Sequence, residues 1–210
     1  MNKEQIQQLI RTYGGWLLLI IHTVGVVLLG GDWRDTYVFL TPVNLFILAL
    51  LYFFASEVPK SLALYFMPAL MGWFVELIGT NTGLPFGEYT YSSILGPGFF
   101  GTPLMIGVLW WVLIRSAYDL LDYFTSSKFY KSIFTGLSMV SLDFLIEPVA
   151  IKLNFWQWTE SEVPLENYLA WFFCSALFAR VTANGTAKNP LSSWIWISLL
   201  VFFGALNLIY

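Results

Sequence analysis

The chain has 210 residues, 58% of them hydrophobic and 11% charged, with a net charge of −3. A soluble domain carries roughly a quarter charged residues, so an ordinary soluble fold is excluded, and with no basic excess so is a nucleic-acid-binding face. A single cysteine, Cys174, excludes an intramolecular disulfide and reads as a small buried hydrophobe.

Met1 to Thr12 is polar and amphipathic, unlike a cleavable signal with a charged start and an apolar core. An apolar run of about 20 residues crosses a bilayer as a helix. Seven such runs follow, at roughly 13–31, 37–55, 61–80, 103–123, 130–152, 166–183 and 191–209. They use the whole chain, 1–210, as a single transmembrane domain: an all-α, polytopic helical bundle. Two connections, Asn81 to Thr102 and Leu153 to Leu165, are longer than the rest and rich in Gly, Pro and aromatics. No internal repeat interrupts this order.

Loop cations set orientation. Lys3, Arg11, Lys60, Lys128, Lys131, Arg180 and Lys188 fall on the N-terminal side, against Arg34 and Lys152 on the other. The expectation is a multi-pass protein of the cytoplasmic (inner) membrane with its N-terminus in the cytoplasm and both long loops outside.

Acids that lipid should reject carry the functional signal. A charge at mid-bilayer costs about 3 kcal/mol on insertion scales, so such residues face the bundle interior. Glu76 lies in the third span, and Asp143 and Glu147 lie in the fifth. At 1.5 Å per residue they sit about 22, 18 and 24 Å from the cytoplasmic end, at a shared depth. Asp143 and Glu147 are four apart and share a helix face. Asn44 of the second span reaches a similar level, and Trp73 is three residues before Glu76. Pro148, after Glu147, strains its helix, which is tolerated where backbone lines a cavity.

Blander readings exist for each. The acids could pair with buried donors and only fix packing. Arg115 and Asp119, four apart near the cytoplasmic end, read as an intrahelical ion pair with a snorkelling Arg. His22 is the one histidine and reads as a hydrogen-bonded helix contact. Trp156 and Trp158 fit interfacial anchors. Asn184-Gly185-Thr186 matches a glycosylation triplet by chance, since it falls on the cytoplasmic side.

The loops carry a resemblance. Glu76-Leu-Ile-Gly79 leads through Asn81-Thr-Gly-Leu-Pro-Phe-Gly87 to Tyr89-Thr-Tyr91, Leu95-Gly-Pro97 and Thr102-Pro103. Downstream come Asp143, Glu147-Pro148, Trp156-Gln-Trp158, Val163-Pro164, Asn167-Tyr168 and Trp171. This pattern, over roughly residues 70 to 175, resembles the carotenoid biosynthesis membrane protein family, which includes bisanhydrobacterioruberin and γ-carotene 1′,2′-hydratases. Where that family often has Asn before the Trp of the fourth span, this chain has Leu109, and where it often has Gly before the Val-Pro, Glu162. If position 109 belongs to the site, Leu109 should lie near Asn44, Glu76 or Glu147.

The resemblance implies hydration of a terminal isoprenoid double bond in an acyclic or monocyclic carotenoid that enters from lipid. Association with other carotenoid enzymes is implied as well. Protonating an isolated alkene needs a carboxylic acid kept neutral, which an apolar site favours. Water then captures the cation, and aromatic faces steady it. No metal, nucleotide or redox cofactor enters that chemistry. Glu76, Asp143 and Glu147 are the candidate catalytic groups, with Glu147 or Glu76 as proton donor and Asp143 orienting water. Asn44, Trp73, Trp110, Tyr89, Tyr91, Trp158 and Asn167 are the candidate substrate contacts. A lycopene-type cyclase would use the same acid and cation, with a double bond in place of water. A proton or ion transporter would use the same acid cluster, although no matched broken helices are present. A retinal photoreceptor is excluded, because the last span holds no lysine for a Schiff base.

Overall fold

The computed structural model describes residues 2–57, 59–160, 162–185 and 188–210. Helix α1 (Lys3–Gly30) begins ahead of the apolar run because Asn2 and Gln5 form a reciprocal capping box. The next span is built in pieces: α2 (Arg34–Tyr37), a 3₁₀ turn (Val38–Leu40) and α3 (Thr41–Ala55). Pro42 sits in the first turn of α3, where its missing N–H costs nothing. Then come α4 (Leu62–Thr82), α5 (Leu104–Leu120), α6 (Lys128–Lys152), α7 (Leu165–Val181) and α8 (Ser192–Ile209).

Among the described residues six helical stretches are long and apolar enough to cross a membrane. The remaining predicted span is α7, whose 17 residues cover about 26 Å. The bundle is therefore the expected helical membrane bundle, with α7 as the shortest of its seven spans. Large apolar side chains point outward all round it, among them Val27, Leu70, Phe144 and Val201, a surface that only lipid suits.

Helix α5 is the exception, because it runs through the middle. It touches α3, α4, α6, α7 and α8, and Trp110 to Asp119 are all buried. Its crossing with α4 is close because Gly72 offers no side chain. A Cβ there would stand 2.3 Å from Cγ of Trp110.

At the loop end, the two long connections meet. Strand β1 (Tyr89–Tyr91) pairs antiparallel with β4 (Trp156–Trp158), and Gly98–Phe99 pairs with Thr102–Pro103 as β2 and β3. The register puts Tyr89 opposite Trp158 and Tyr91 opposite Trp156. Side chains alternate along a strand, so these four aromatics share the inward face. Thr90 and Gln157 face out and are exposed.

At the opposite end the Arg115–Asp119 expectation is corrected. Arg115 is fully buried and donates to the carbonyls of Leu64, Tyr65 (3.1 Å) and Thr182 (2.9 Å). Thr182 is the C-cap of α7, whose carbonyl lacks a helical partner. The planar guanidinium reaches it and α4 together, so the side chain has no reason to snorkel. Asp119 instead accepts from the Tyr52 hydroxyl at 2.8 Å. Thr186 of the glycosylation-like triplet lies outside the described residues.

Candidate active site

Glu76, Asp143 and Glu147 are all buried, at 3%, 0% and 2% exposure, and among the described residues none has a cationic partner. Neutral donors surround them instead. Glu76 Oε2 accepts from the hydroxyls of Tyr89 (2.6 Å) and Tyr91 (2.8 Å), and Oε1 from the indole of Trp110 (2.9 Å). Glu147 Oε2 accepts from the indoles of Trp156 (3.0 Å) and Trp158 (2.9 Å). The Asn167 amide donates to Asp143 Oδ2 at 2.8 Å and more weakly to Glu147 Oε1 at 3.4 Å. Asp143 Oδ1 has no partner among the described residues.

The small sheet explains this geometry. Its inward face lays one strand's tyrosines on Glu76 and the other strand's tryptophans on Glu147, so pairing β1 with β4 brings the two carboxylates under one roof. Tyr89 packs on Trp158 with centroids 5.0 Å apart, and Tyr91 packs edge-on to Trp156. Burial, and then the neighbouring Glu76, push both tyrosine hydroxyls up from the usual phenol range, which keeps them as donors.

Between the carboxylates lies a chamber with about 20 Å³ open to the centre of a water molecule, room for about one water. Glu76, Glu147, Tyr89, Tyr91, Asn167 and Trp171 are on its wall. A second, apolar cavity of about 280 Å³ lies beside it, between α1, α3, α5, α6 and α8. The two share Ile106, Leu109, Ile146 and Trp156 as a partition.

Of the sequence-derived candidates, Glu76, Glu147, Trp110, Tyr89, Tyr91, Trp158 and Asn167 meet at the chamber. Asn44 lines the apolar cavity. Asp143 does not line the chamber and reaches it through Asn167. Trp73 lines neither cavity. The buried face of α4 runs through Gly72, Glu76 and Gly79, and Trp73 is turned off it, with its indole toward the Thr102 carbonyl at 3.4 Å. Leu109 stands in the partition, as expected of a site position. Trp156, taken from sequence as an interfacial anchor like Trp158, is a carboxylate donor. Its signal was the alternation in Trp156-Gln-Trp158, matched to Tyr89-Thr-Tyr91. Among the described residues no group of three His, Cys, Asp or Glu side chains is arranged to hold a metal ion.

The family model described as "Carotenoid biosynthesis protein" matches residues 35–209. The chain belongs to that family. It is also 26% identical over 158 residues to the bisanhydrobacterioruberin hydratase of Haloarcula japonica, covering 67% of this chain and 54% of that protein. The chain thus spans about half the length of the curated relative it matches. No solved structure matches it. The protein is a multi-pass membrane member of a carotenoid biosynthesis family, and its carboxylate chamber is the feature that chemistry must explain.

Proposed function

We propose that this protein is a carotenoid hydratase, which adds water across the terminal 1′,2′ double bond of an acyclic or monocyclic carotenoid. The observation that carries this reading is the chamber: two buried carboxylates face a space for about one water, beside an apolar cavity. The name of the Haloarcula relative supports the same chemistry.

The roles follow from the hydrogen bonds. Indole N–H groups only donate, so Glu147 Oε2 is committed as an acceptor. Oε1, with one long contact, is the oxygen free to carry a proton toward the alkene. Proton transfer to C2′ leaves a tertiary cation at C1′. Water held on the Glu76 side adds to C1′ and gives its proton to Glu76, and a chamber water returns that proton to Glu147. The sum is alkene plus water giving alcohol. Asp143 acts through Asn167 as a positioning residue for Glu147. Aromatic faces of Trp156, Trp158 and Trp171 around the chamber steady the cation.

The substrate enters from lipid. Val24 on α1 and Val43 on α3 line the apolar cavity and are each about half exposed, at 49% and 52%, so that wall faces out of the bundle. The N-terminus is cytoplasmic in an inner membrane, which puts the roof outside. A Ser92→Cys variant should react with an impermeant thiol reagent in intact cells, and labelling only after lysis would reverse the orientation.

The decisive experiment supplies the purified protein with acyclic and monocyclic carotenoids and reads product masses. Hydration adds one water, cyclisation adds nothing, and proton flux in proteoliposomes without carotenoid would favour transport.

A further inference from the structure

The hairpin of β2 and β3 turns through two residues, Phe100 and Gly101, and both have positive φ, at 47° and 80°. Positive φ at both central positions marks a type I′ turn, where Asn-Gly or Asp-Gly is the usual pair. A bulky side chain in that left-handed region strains the backbone. Packing does not offset the strain, because Phe100 is 79% exposed, and Phe99 before it is 60% exposed. Two aromatic rings thus project from a turn that a polar residue would form more readily.

The place of the turn accounts for its residues. The Asn81 side chain donates to the Phe100 carbonyl at 3.1 Å and to the Leu77 carbonyl at 2.8 Å, so the tip sits over the loop end of α4. Leu70, Phe74 and Ile78 are exposed, and with Asn81 they follow at steps of four, four and three, which is one face of a helix. That face belongs to the lipid-facing surface of the bundle, and the tip continues it. Leu104, directly after β3, is exposed as well. Asn81 stands about 14 Å beyond Gly72, at the middle of α4, close to half of the ~30 Å hydrocarbon thickness. The tip therefore lies where acyl chains give way to headgroups. Charge divides the roof in the same way. Glu88 before β1, and Glu160, Glu162 and Glu166 after β4, are exposed. No charged residue lies between Glu88 and Arg115, the stretch that holds the hairpin. One edge of the roof is built for water and the other for hydrocarbon.

We infer that the Phe99–Phe100 tip is a lipid-inserted anchor, which seats this edge of the roof in the membrane interface. Its partner is bilayer lipid at the boundary of headgroup and acyl chain. The anchor bears on the site through β3: the Thr102 hydroxyl is 2.7 Å from that of Thr80, which also donates to the Glu76 carbonyl at 3.1 Å. Lipid insertion is independent of the reaction that the chamber performs.

A fluorophore reads the contact. In a Cys174→Ser background, Phe99→Cys or Glu160→Cys is labelled with a small thiol-reactive dye, and the protein is reconstituted into phosphatidylcholine vesicles. The quenchers are iodide on both sides of the membrane and phosphatidylcholine spin-labelled high on its acyl chain. The Phe99 label should lose fluorescence to the spin-labelled lipid and resist iodide, and the Glu160 label should do the reverse. Phe100→Asn, the residue such a turn prefers, should keep the fold with an unchanged or raised melting temperature, and should raise iodide quenching of the Phe99 label toward that of Glu160. Equal iodide quenching of both labels in the parent protein would overturn the anchor and leave the tip in water. Resistance of the Phe99 label to both quenchers would also overturn it, by showing the tip covered by protein, whether a second copy or another enzyme. A Phe100→Asn variant that melts lower while its label stays in lipid would overturn it too, because Phe100 would then serve the hairpin's own packing.

Discussion

The bundle buries two polar clusters, one at each end, and they are built on opposite plans. At the N-terminal end, Arg115 is spent on backbone carbonyls of α4 and on the C-cap of α7. Asn189 donates to the Tyr52 carbonyl and to Ser56, both at 2.7 Å, and Ser56 is bonded to the Tyr65 hydroxyl. Arg11 and Gln7 of α1 reach the carbonyls of Ala55 and Ser56. Each contact ties one helix end to another. At the loop end, donors from two strands and two helices converge on carboxylates and leave a space between them. Burial of polar groups is thus no mark of chemistry by itself. A cluster whose hydrogen bonds tie helix ends to one another holds the fold, whereas one that surrounds a cavity keeps capacity for a substrate.

The comparison breaks most readily at Glu76 and Glu147. Gln keeps shape and most hydrogen bonding but removes the transferable proton. Glu147→Gln and Glu76→Gln should each leave folded protein with hydration lowered at least about 100-fold, the scale of general acid–base catalysis. Near-normal turnover in both would make the loop-end cluster structural as well. A smaller loss is expected when one indole is removed. Trp156→Phe keeps the ring but strips one of two donors from Glu147 Oε2, and turnover should fall roughly 10-fold, the worth of one hydrogen bond to a charged group. Trp158→Phe should match it, since the two donors are alike in length. Unchanged kcat in both would show that Glu147 needs no such holding.

These donors also mark where sequence reading stops. The spans were legible because a hydrophobic run is a local signal, and Glu76 and Glu147 because an acid inside such a run is conspicuous. The roof was not. Three-residue strands are too short for a period-2 pattern to stand out, and Tyr89 and Trp158 are 69 residues apart in the chain, so their pairing is a tertiary fact. Trp156 was therefore hidden, and Trp73 was over-read, because spacing along α4 does not reveal that Gly72 sets which face meets α5. Arg115 was misread for a related reason: nothing local indicates that the end of α7 offers it a carbonyl. His22, read as a hydrogen-bonded helix contact, has its Nδ1 buried without a hydrogen-bond partner among the described residues.

At the other cluster the readout should change from turnover to stability. Arg115→Met withdraws the donors that join α4 to α7, and should cost roughly 2 to 3 kcal/mol, seen as a lower melting temperature. Turnover per folded molecule should stay within about twofold, since distant sites act independently. A large loss of kcat without loss of stability would mean that the two ends are coupled.

The smallest effect should come from Asp119→Asn, and it tests the comparison most finely. Asp119 Oδ2 accepts from Tyr52, and its Oδ1 is buried with no partner among the described residues. Asn can present its oxygen to the same hydroxyl, so the tie between α3 and α5 survives. Only the ability to exchange a proton is lost. If this end of the bundle is purely a fastening, stability should fall by about 1 kcal/mol, the low end of the cost of an unpaired buried donor, and hydration should be unchanged. If protons reach the chamber from the N-terminal end, Asp119 is the buried acid they would pass, and its replacement should slow turnover while leaving binding intact. A tenfold fall in kcat at constant KM would therefore overturn the division into a fastening and a reaction site, and would favour a proton path through α5. The same substitution in proteoliposomes would then show whether that path carries net flux.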